Sequence, residues 1–76
     1  MKASLGPASA SIRVNGEDEP LAVATLDALL AAKEIPPGRR GVAVALNGSV
    51  VPRAHWTDTR LAGGDVVEIV LAKQGG

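Results

Sequence analysis

The 76-residue sequence has no cysteine, phenylalanine or tyrosine, and it has a single tryptophan and a single histidine. Without cysteine the chain has no thiol nucleophile, no redox pair and no thiolate ligands for zinc. His55 alone cannot form a two-histidine metal site, and no residue spacing supports a Ser–His–Asp triad. These absences argue against an enzyme, and we expect no bound metal and an exposed His55 in a loop.

An excess of charge of either sign is also missing, because eight basic residues balance eight acidic ones. Nucleic-acid binders usually carry a basic excess, and single-strand binders need aromatic stacking platforms. Apolar runs stay well below the ~20 residues of a membrane span, and the N-terminus lacks the apolar core of a signal peptide. We expect no nucleic acid, no membrane association, no bound cofactor and a cytoplasmic location.

The chain does contain enough aliphatic residues for one small core, since 46% of its residues are hydrophobic. A chain of this length buries only ~60% of its unfolded surface, which leaves little room for an enclosed active site. Residues 1–10 are small, polar and interrupted by proline and glycine. We predict a flexible N-terminal extension over 1–10, a folded domain over 11–72 and a flexible tail over 73–76.

The first half of the domain carries signals for a hairpin and a helix. Asn15-Gly16 favours a tight hairpin turn after a strand over 11–14. We expect the acidic residues 17–19 in this turn and an edge strand over 20–23, because Pro20 cannot donate to a ladder.

Helical spacing follows, with leucines at positions 26, 29 and 30. Thr25 is a good N-cap, and Asp27 in the first turn suits the helix dipole. The predicted helix runs through Lys33, and Pro36 ends it because proline disfavours the α conformation in the preceding residue.

The second half predicts another hairpin and a closing strand. Residues 42–46 form a strand, Asn47-Gly48 a second hairpin turn and 49–52 a short return strand. Residues 53–60 form a loop or a single helical turn. The run 66–71 is long and β-branched, which indicates a central strand buried on most of both faces. This order predicts an α+β fold, a ubiquitin-like β-grasp (ββαββ) with one main helix on one face of a mixed sheet.

Chemistry is possible at the end of the sequence, Gly75-Gly76. Two residues without Cβ can enter a narrow channel of a partner, and a tail from Lys73 reaches roughly 13–14 Å at ~3.3–3.6 Å per residue. The Gly76 carboxylate is ionised at pH 7 and could attack the α-phosphate of ATP. The resulting acyl-adenylate would react with a sulfur or nitrogen nucleophile, which describes a carrier or a protein modifier.

Residues 42–56, 61–70 and 75–76 resemble the ThiS family, the sulfur carrier proteins of thiamine biosynthesis. The matching pieces are Asn47-Gly48, Val51-Pro52-Arg53 followed by Trp56, Gly64-Asp65 and the terminal Gly75-Gly76. The Pro-Arg-x-x-Trp piece is the most specific of these. Two departures are the N-terminal extension and Lys73-Gln74 before the glycines, and the second could alter partner preference.

The resemblance implies that Gly76 is adenylated by an ATP-using enzyme related to ubiquitin-activating enzymes. The glycyl adenylate is then converted to a thiocarboxylate (1-thioglycine), which supplies sulfur to thiazole synthase. A sulfur donor such as a cysteine desulfurase is a further implied partner. The chain itself would be a carrier and not an enzyme. Because it has no cysteine for a persulfide, Gly76 is the place where it could hold sulfur.

Four residues are candidate partner contacts, namely Arg53, Trp56, Lys73 and Gln74. Trp56 is predicted either as a core residue under the second hairpin or as part of a docking surface, since its large apolar area favours partial burial. Arg53 and Arg60 either belong to a solvated charged face or contact an acidic partner. By analogy with ubiquitin-like proteins, aliphatic side chains on the open sheet face near the tail form a candidate docking patch.

Three alternatives stay open. A sulfur carrier could serve molybdopterin or cysteine biosynthesis, although the small subunit of molybdopterin synthase usually has aromatic and proline residues before its Gly-Gly, which residues 70–74 lack. A ubiquitin-like modifier would join Gly76 to a lysine of another protein. An interaction module with an idle tail would not need Gly75-Gly76.

Overall fold

The computed structural model describes residues 10–72, so the predicted tail and all of the predicted extension except Ala10 lie outside the described residues. The strands are β1 (Ser11–Val14), β2 (Glu17–Pro20), β3 (Val42–Leu46), β4 (Ser49–Val50) and β5 (Val66–Leu71), with helix α1 (Leu26–Ala32) and a short 3₁₀ turn at Arg53–His55. No helix within 10–72 is long and apolar enough to cross a membrane.

The five strands form one mixed sheet in the order β2-β1-β5-β3-β4. The first and last strands of the chain, β1 and β5, pair in parallel at its centre, and the other neighbours are antiparallel. The apolar side of α1 packs with one face of this sheet in a single core. This arrangement confirms the predicted α+β, β-grasp fold, with the closing strand β5 in the predicted central position. The element order is ββαβββ, so the predicted shorthand ββαββ leaves out one of the five strands.

The first hairpin turns as predicted but pairs earlier than expected. Asn15 and Gly16 both have positive φ angles (52° and 86°), so pairing begins immediately with Val14 opposite Glu17. The acidic residues therefore lie in β2 and not in the turn, and the strand expected over 20–23 is wrong. An edge strand tolerates this charge, and charged edges hinder pairing with other sheets. Pro20 ends β2 at the sheet edge, as predicted.

Helix α1 begins as predicted but ends before the prolines. The Thr25 side chain accepts a hydrogen bond from the backbone N–H of Ala28 (3.4 Å). At the other end Glu34 adopts a left-handed conformation (φ 66°), and the N–H of Ile35 donates to the carbonyl of Leu30 (3.0 Å). This hydrogen bond is typical of a Schellman motif, which ends helices locally. Pro36 is therefore not what stops the helix.

The second hairpin agrees closely with the prediction. Strand β3 has the predicted bounds, and Asn47 and Gly48 both have positive φ angles (52° and 88°). Strand β4 is shorter than expected, although Val51 still donates to the carbonyl of Val44 (2.8 Å). The single helical turn, one of two possibilities for the segment that follows, is present as the 3₁₀ turn.

Strand β5 is central, but it is not buried on both faces. Val67 is fully buried, whereas Val66 and Val70 are 39% and 61% exposed. The expectation of two buried faces is wrong because α1 and its flanking loops cover only one side of the sheet. Alternate residues of β5 therefore face the core and the solvent.

The core consists of nine buried apolar residues, which come from the sheet, from helix α1 and from the loops beside them. They are Ile12, Val14, Leu26, Leu29, Leu30, Ile35, Val44, Trp56 and Val67. Within 10–72 no buried residue is polar or charged. The core is thus a small aliphatic cluster around one indole, and it encloses no set of polar groups that could act as an active centre.

Candidate functional site

The side of the sheet opposite α1 carries a group of small and aliphatic side chains. Strand pairing places Ala45 directly opposite both Glu68 and Val50, and Ala43 opposite Val70. Directly opposed residues of neighbouring strands share a face. We call this surface the open face and define it by Ala43, Ala45, Val50, Val66, Glu68 and Val70.

The valines of the open face are strongly exposed. Val50 is 75% exposed and Val70 is 61% exposed, although both are large apolar residues. Contiguous exposed apolar side chains on a small protein indicate an interaction surface. The open face therefore has the exposed aliphatic side chains that the candidate docking patch requires, and the structure shows which residues these are.

The shape of the open face follows from its composition. The two alanines of β3 lie between Val50 on β4 and the valines of β5. Short side chains therefore lie at the centre of the open face, with longer ones on both sides. The short side chains leave room above β3 for apolar side chains of a partner.

The end of β5 fixes where the tail leaves the fold. The N–H of Ala72, the last described residue, donates to the carbonyl of Gly41 at 2.7 Å. Val70 of the open face is only two residues earlier on the same strand. The predicted functional residues Lys73, Gln74, Gly75 and Gly76 lie outside the described residues. Val70 on the open face and Leu71 on the other face, which is 43% exposed, are therefore the exposed apolar residues of β5 nearest to a partner that holds the tail.

Trp56 belongs to the core. Its side chain is only 4% exposed, and its Nε1–H donates to the carbonyl of Val51 at 2.8 Å. Of the two roles considered for this residue, the structure supports the core role. A direct contact between the indole and a partner does not fit this placement, because almost none of its surface is accessible.

Arg53 supports the same region instead of projecting freely into solvent. Its guanidinium lies 4.6 Å from the centre of the Trp56 ring, within the range of a cation–π interaction. It also donates hydrogen bonds to the backbone carbonyls of Pro37 and Arg39. The Pro-Arg-x-x-Trp piece thus joins the 3₁₀ turn to the loop before β3, and Arg53 remains exposed to solvent while it makes these contacts.

Two asparagine side chains bind the central strand, a role that sequence reasoning missed. The Asn15 amide accepts from the N–H of Ile69 (2.8 Å) and donates to the carbonyl of the same residue (3.2 Å). The Asn47 amide accepts from the N–H of Val66 (2.8 Å) and donates to Asp65 (3.0 Å). The sequence signal for this role was asparagine at the first position of both turns. Glycine or aspartate could also adopt the positive φ angle there, so the turn alone does not require an amide side chain.

The Gly64-Asp65 piece has a local structural explanation. Gly64 has a φ of 89°, a conformation that residues with a Cβ rarely adopt. The Asp65 carboxylate accepts from the backbone N–H of Ala62 at 2.8 Å and closes the turn. This piece therefore sets the start of β5.

The described residues offer little else that could perform chemistry. Within 10–72 no group of three or more His, Asp or Glu side chains is placed to hold a metal ion. A cleft of about 440 Å³ lies between the first hairpin and the end of α1, and its charged lining includes Glu17, Lys33, Glu34 and Arg39. Lys33 is already paired with Glu19. This cleft contains no nucleophile with an adjacent base.

Comparison with known proteins agrees with the fold and with the matching residues. A family model described as the ThiS family matches residues 11–76, which is nearly the whole chain and includes Gly75-Gly76. The chain belongs to the ThiS family. ThiS proteins are small sulfur carriers of thiamine biosynthesis, so this ThiS-family chain is a carrier and not a catalyst.

Solved structures support the same assignment. A crystal structure of the thiamine biosynthesis protein ThiS from Geobacter metallireducens is 30% identical, with a TM-score of 0.70, and the alignment covers 87% of this chain and 99% of that one. A solution structure of a thiamine biosynthesis protein from the same organism gives the same identity and TM-score, with 87% of each chain covered. No curated protein sequence matches significantly.

Proposed function

We propose that this chain carries sulfur for thiazole formation as a thiocarboxylate on Gly76. The observation that carries the proposal is the ThiS family match, which runs through the terminal Gly75-Gly76 on a β-grasp fold. The core of the described fold supplies no alternative reactive group, because its buried residues are all apolar.

The chemistry proceeds in two steps on the carboxyl group of Gly76. A carboxylate oxygen attacks the α-phosphate of ATP, pyrophosphate leaves, and a glycyl adenylate forms. In the second step the terminal sulfur of a persulfide on a donor such as a cysteine desulfurase attacks the carbonyl carbon, and AMP leaves with the original oxygen. A thiol then cleaves the resulting acyl disulfide, which leaves the thiocarboxylate on Gly76 and forms a disulfide between the thiol and the donor. ATP belongs to the activating enzyme, so this chain needs only to present an unhindered carboxylate.

The open face is the surface on which we expect the activating enzyme to dock. Burying its exposed valines would contribute roughly 25 cal/mol for each Å² of apolar surface removed from water. The tail begins immediately after β5, so an enzyme on this face could also hold Gly76 in its active site. Lys73 and Gln74 would lie at the entrance of that site and contact its walls.

Thiazole synthase is the proposed acceptor of the sulfur, and the cytoplasm is the proposed compartment, where ATP is available to the activating enzyme. Arg53 and Trp56 contribute to both encounters indirectly, because they stabilise the fold that presents the tail.

Adenylation by the organism's own ubiquitin-activating-like enzyme tests the first step. With ATP and the full chain we expect carrier-dependent pyrophosphate release, and with a chain that lacks Gly75-Gly76 we expect none. The shortened chain keeps the whole described fold, so its far-UV circular dichroism should match that of the full chain. Equal pyrophosphate release from both chains would contradict the proposal.

The fate of the activated carboxylate separates this pathway from its alternatives. Recovery of thiazole synthase in a pull-down with the full chain supports thiamine biosynthesis. A branched peptide that joins Gly76 to a lysine would instead indicate a protein modifier. Capture of the large subunit of molybdopterin synthase would indicate a carrier for that pathway.

A further inference from the structure

Glu68 is the charged residue among the six that define the open face, and the exposed Arg13–Asp18 ion pair lies beside them on β1 and β2, because Arg13 is opposite Val66. It lies between Val66 and Val70 along β5 and directly opposite Ala45 on β3. Its side chain is exposed, as are those of both valines. A strand position that faces solvent accepts any polar residue, so the carboxylate alone has no special meaning. Its position among exposed valines, however, indicates a role in binding a partner.

The described residues provide Glu68 with no ion-pair partner. Within 10–72 the salt bridges are Arg13–Asp18 and Lys33–Glu19. Arg13 lies on the same side of the sheet, because it pairs with Val66 across the parallel ladder, but its guanidinium is held by Asp18 at 3.0 Å. The alanine opposite Glu68 is too short to reach the carboxylate or to shield it.

We infer that the activating enzyme docks on the open face through an apolar surface containing one arginine or lysine that pairs with Glu68. This inference rests on the proposed function and specifies the chemistry of its partner. Docking would remove water from Glu68 together with its valine neighbours. A carboxylate buried without a partner destabilises a complex strongly, so the surface that covers this face must supply a cation.

A second copy of this chain is a poor occupant of the same face. In a two-fold symmetric dimer each copy presents the same surface to the other. A two-fold axis that passes close to Glu68 would bring the two carboxylates together, where like charges repel. The carboxylate therefore opposes self-association and selects a partner of opposite charge.

Steady-state kinetics of adenylation test this pairing. Glu68→Gln keeps the shape of the side chain and removes its charge, and Glu68→Lys reverses the charge. Glu17→Gln and Glu17→Lys are matched controls, because Glu17 is an exposed glutamate of edge strand β2 outside the open face. Each control changes the net charge by the same amount as its counterpart, so general electrostatic steering affects both pairs equally.

For Glu68→Gln we expect the KM for the carrier to rise about tenfold, since a charge-assisted hydrogen bond between protein groups is lost. We expect a larger rise for Glu68→Lys. The kcat should stay unchanged, because a contact far from the reacting atoms contributes equally before and during the chemical step. Thermal unfolding midpoints should match the wild type, since the side chain is exposed.

Three results would overturn the inference. One is an unchanged KM for Glu68→Gln, and another is an equal rise for Glu17→Gln. The third is dimerisation of Glu68→Gln in analytical ultracentrifugation with no change in KM, which would show that Glu68 acts only against self-association. These results require adenylation of the wild type. If the wild-type chain is not adenylated at all, the proposed function itself fails, and the inference fails with it.

Discussion

The two faces of β5 differ in burial although they belong to one strand of six residues. Val67 is enclosed by the core with Leu26 and Val44, whereas Val66 and Val70 remain in contact with water. Valine is present on both sides, so intrinsic β propensity does not explain why Val67 is buried and Val66 and Val70 are exposed. One face is covered by the chain's own helix, and the other is left for a partner.

In this very small protein, the residues that stabilise the fold are therefore different from the residues available to bind a partner. Substitutions on the core face should lower the free energy of unfolding, and substitutions on the open face should change partner affinity alone. The edges of the sheet support the separation, because β2 is acidic and β4 has only two residues. Both features discourage addition of another strand, which directs association to the open face.

The largest expected effect comes from replacing matched valines on the two faces of β5. Val67→Ala should lower the free energy of unfolding by about 2 kcal/mol, because a fully buried valine loses most of its apolar contact area. Val70→Ala should change it by less than about 0.5 kcal/mol, as surface substitutions usually do. Urea denaturation of the two variants measures both values.

The matched pair also reports on docking. Val70→Ala should raise the KM for the activating enzyme although its stability is unchanged. Equal loss of stability in the two variants would refute the contrast between the faces.

A smaller effect is expected at the amide of Asn15, which connects the first hairpin to β5. Asn15→Gly keeps the positive φ angle but loses both side-chain hydrogen bonds to Ile69. We expect a loss of about 1 kcal/mol in chemical denaturation, since an exposed hydrogen bond contributes only part of its strength. Asn47→Gly is the matched variant in the other turn. A neutral result for both would show that these amides do not hold β5.

The smallest effect, and the one of opposite sign, is expected at Glu34, which lies on neither face. Its left-handed conformation costs a residue with a Cβ more than it costs glycine. Glu34→Gly should therefore stabilise the protein by about 0.5 kcal/mol, after the greater flexibility of glycine in the unfolded chain is included. A decrease in the thermal midpoint would show that the Glu34 side chain makes a favourable contribution.

Local signals were sufficient to predict the turns, the start of the helix and the order of the strands. Asn-Gly pairs demand positive φ angles, and Thr25 offers an oxygen to the first helical turn, so both act within a few residues. The end of α1 was placed within one residue but attributed to Pro36, because a Schellman motif at Glu34 does not require glycine and so gives no signal in the sequence. The acidic β2 was missed because cross-strand pairing from Asn15-Gly16 overrides low β propensity.

The candidate site was harder to predict because it depends on what covers each face. The run 66–71 has no polar alternation except Glu68, so its pattern is typical of a strand buried on both sides. Only the position of α1 shows which valines stay exposed. Trp56 and Arg53 matched a family pattern, but that pattern does not distinguish a structural role from a role in docking. Their contacts in the structure show that they support the fold.

The central claim is that sulfur is carried on the carboxyl group of Gly76, and the mass of the C-terminal peptide tests it most directly. The full chain would be incubated with its activating enzyme, ATP and a sulfur donor, and the peptide would then be measured. We predict a mass gain equal to one oxygen-to-sulfur exchange, located at Gly76 by fragmentation and absent without ATP. An unchanged peptide mass from a chain that the enzyme does adenylate would contradict the account.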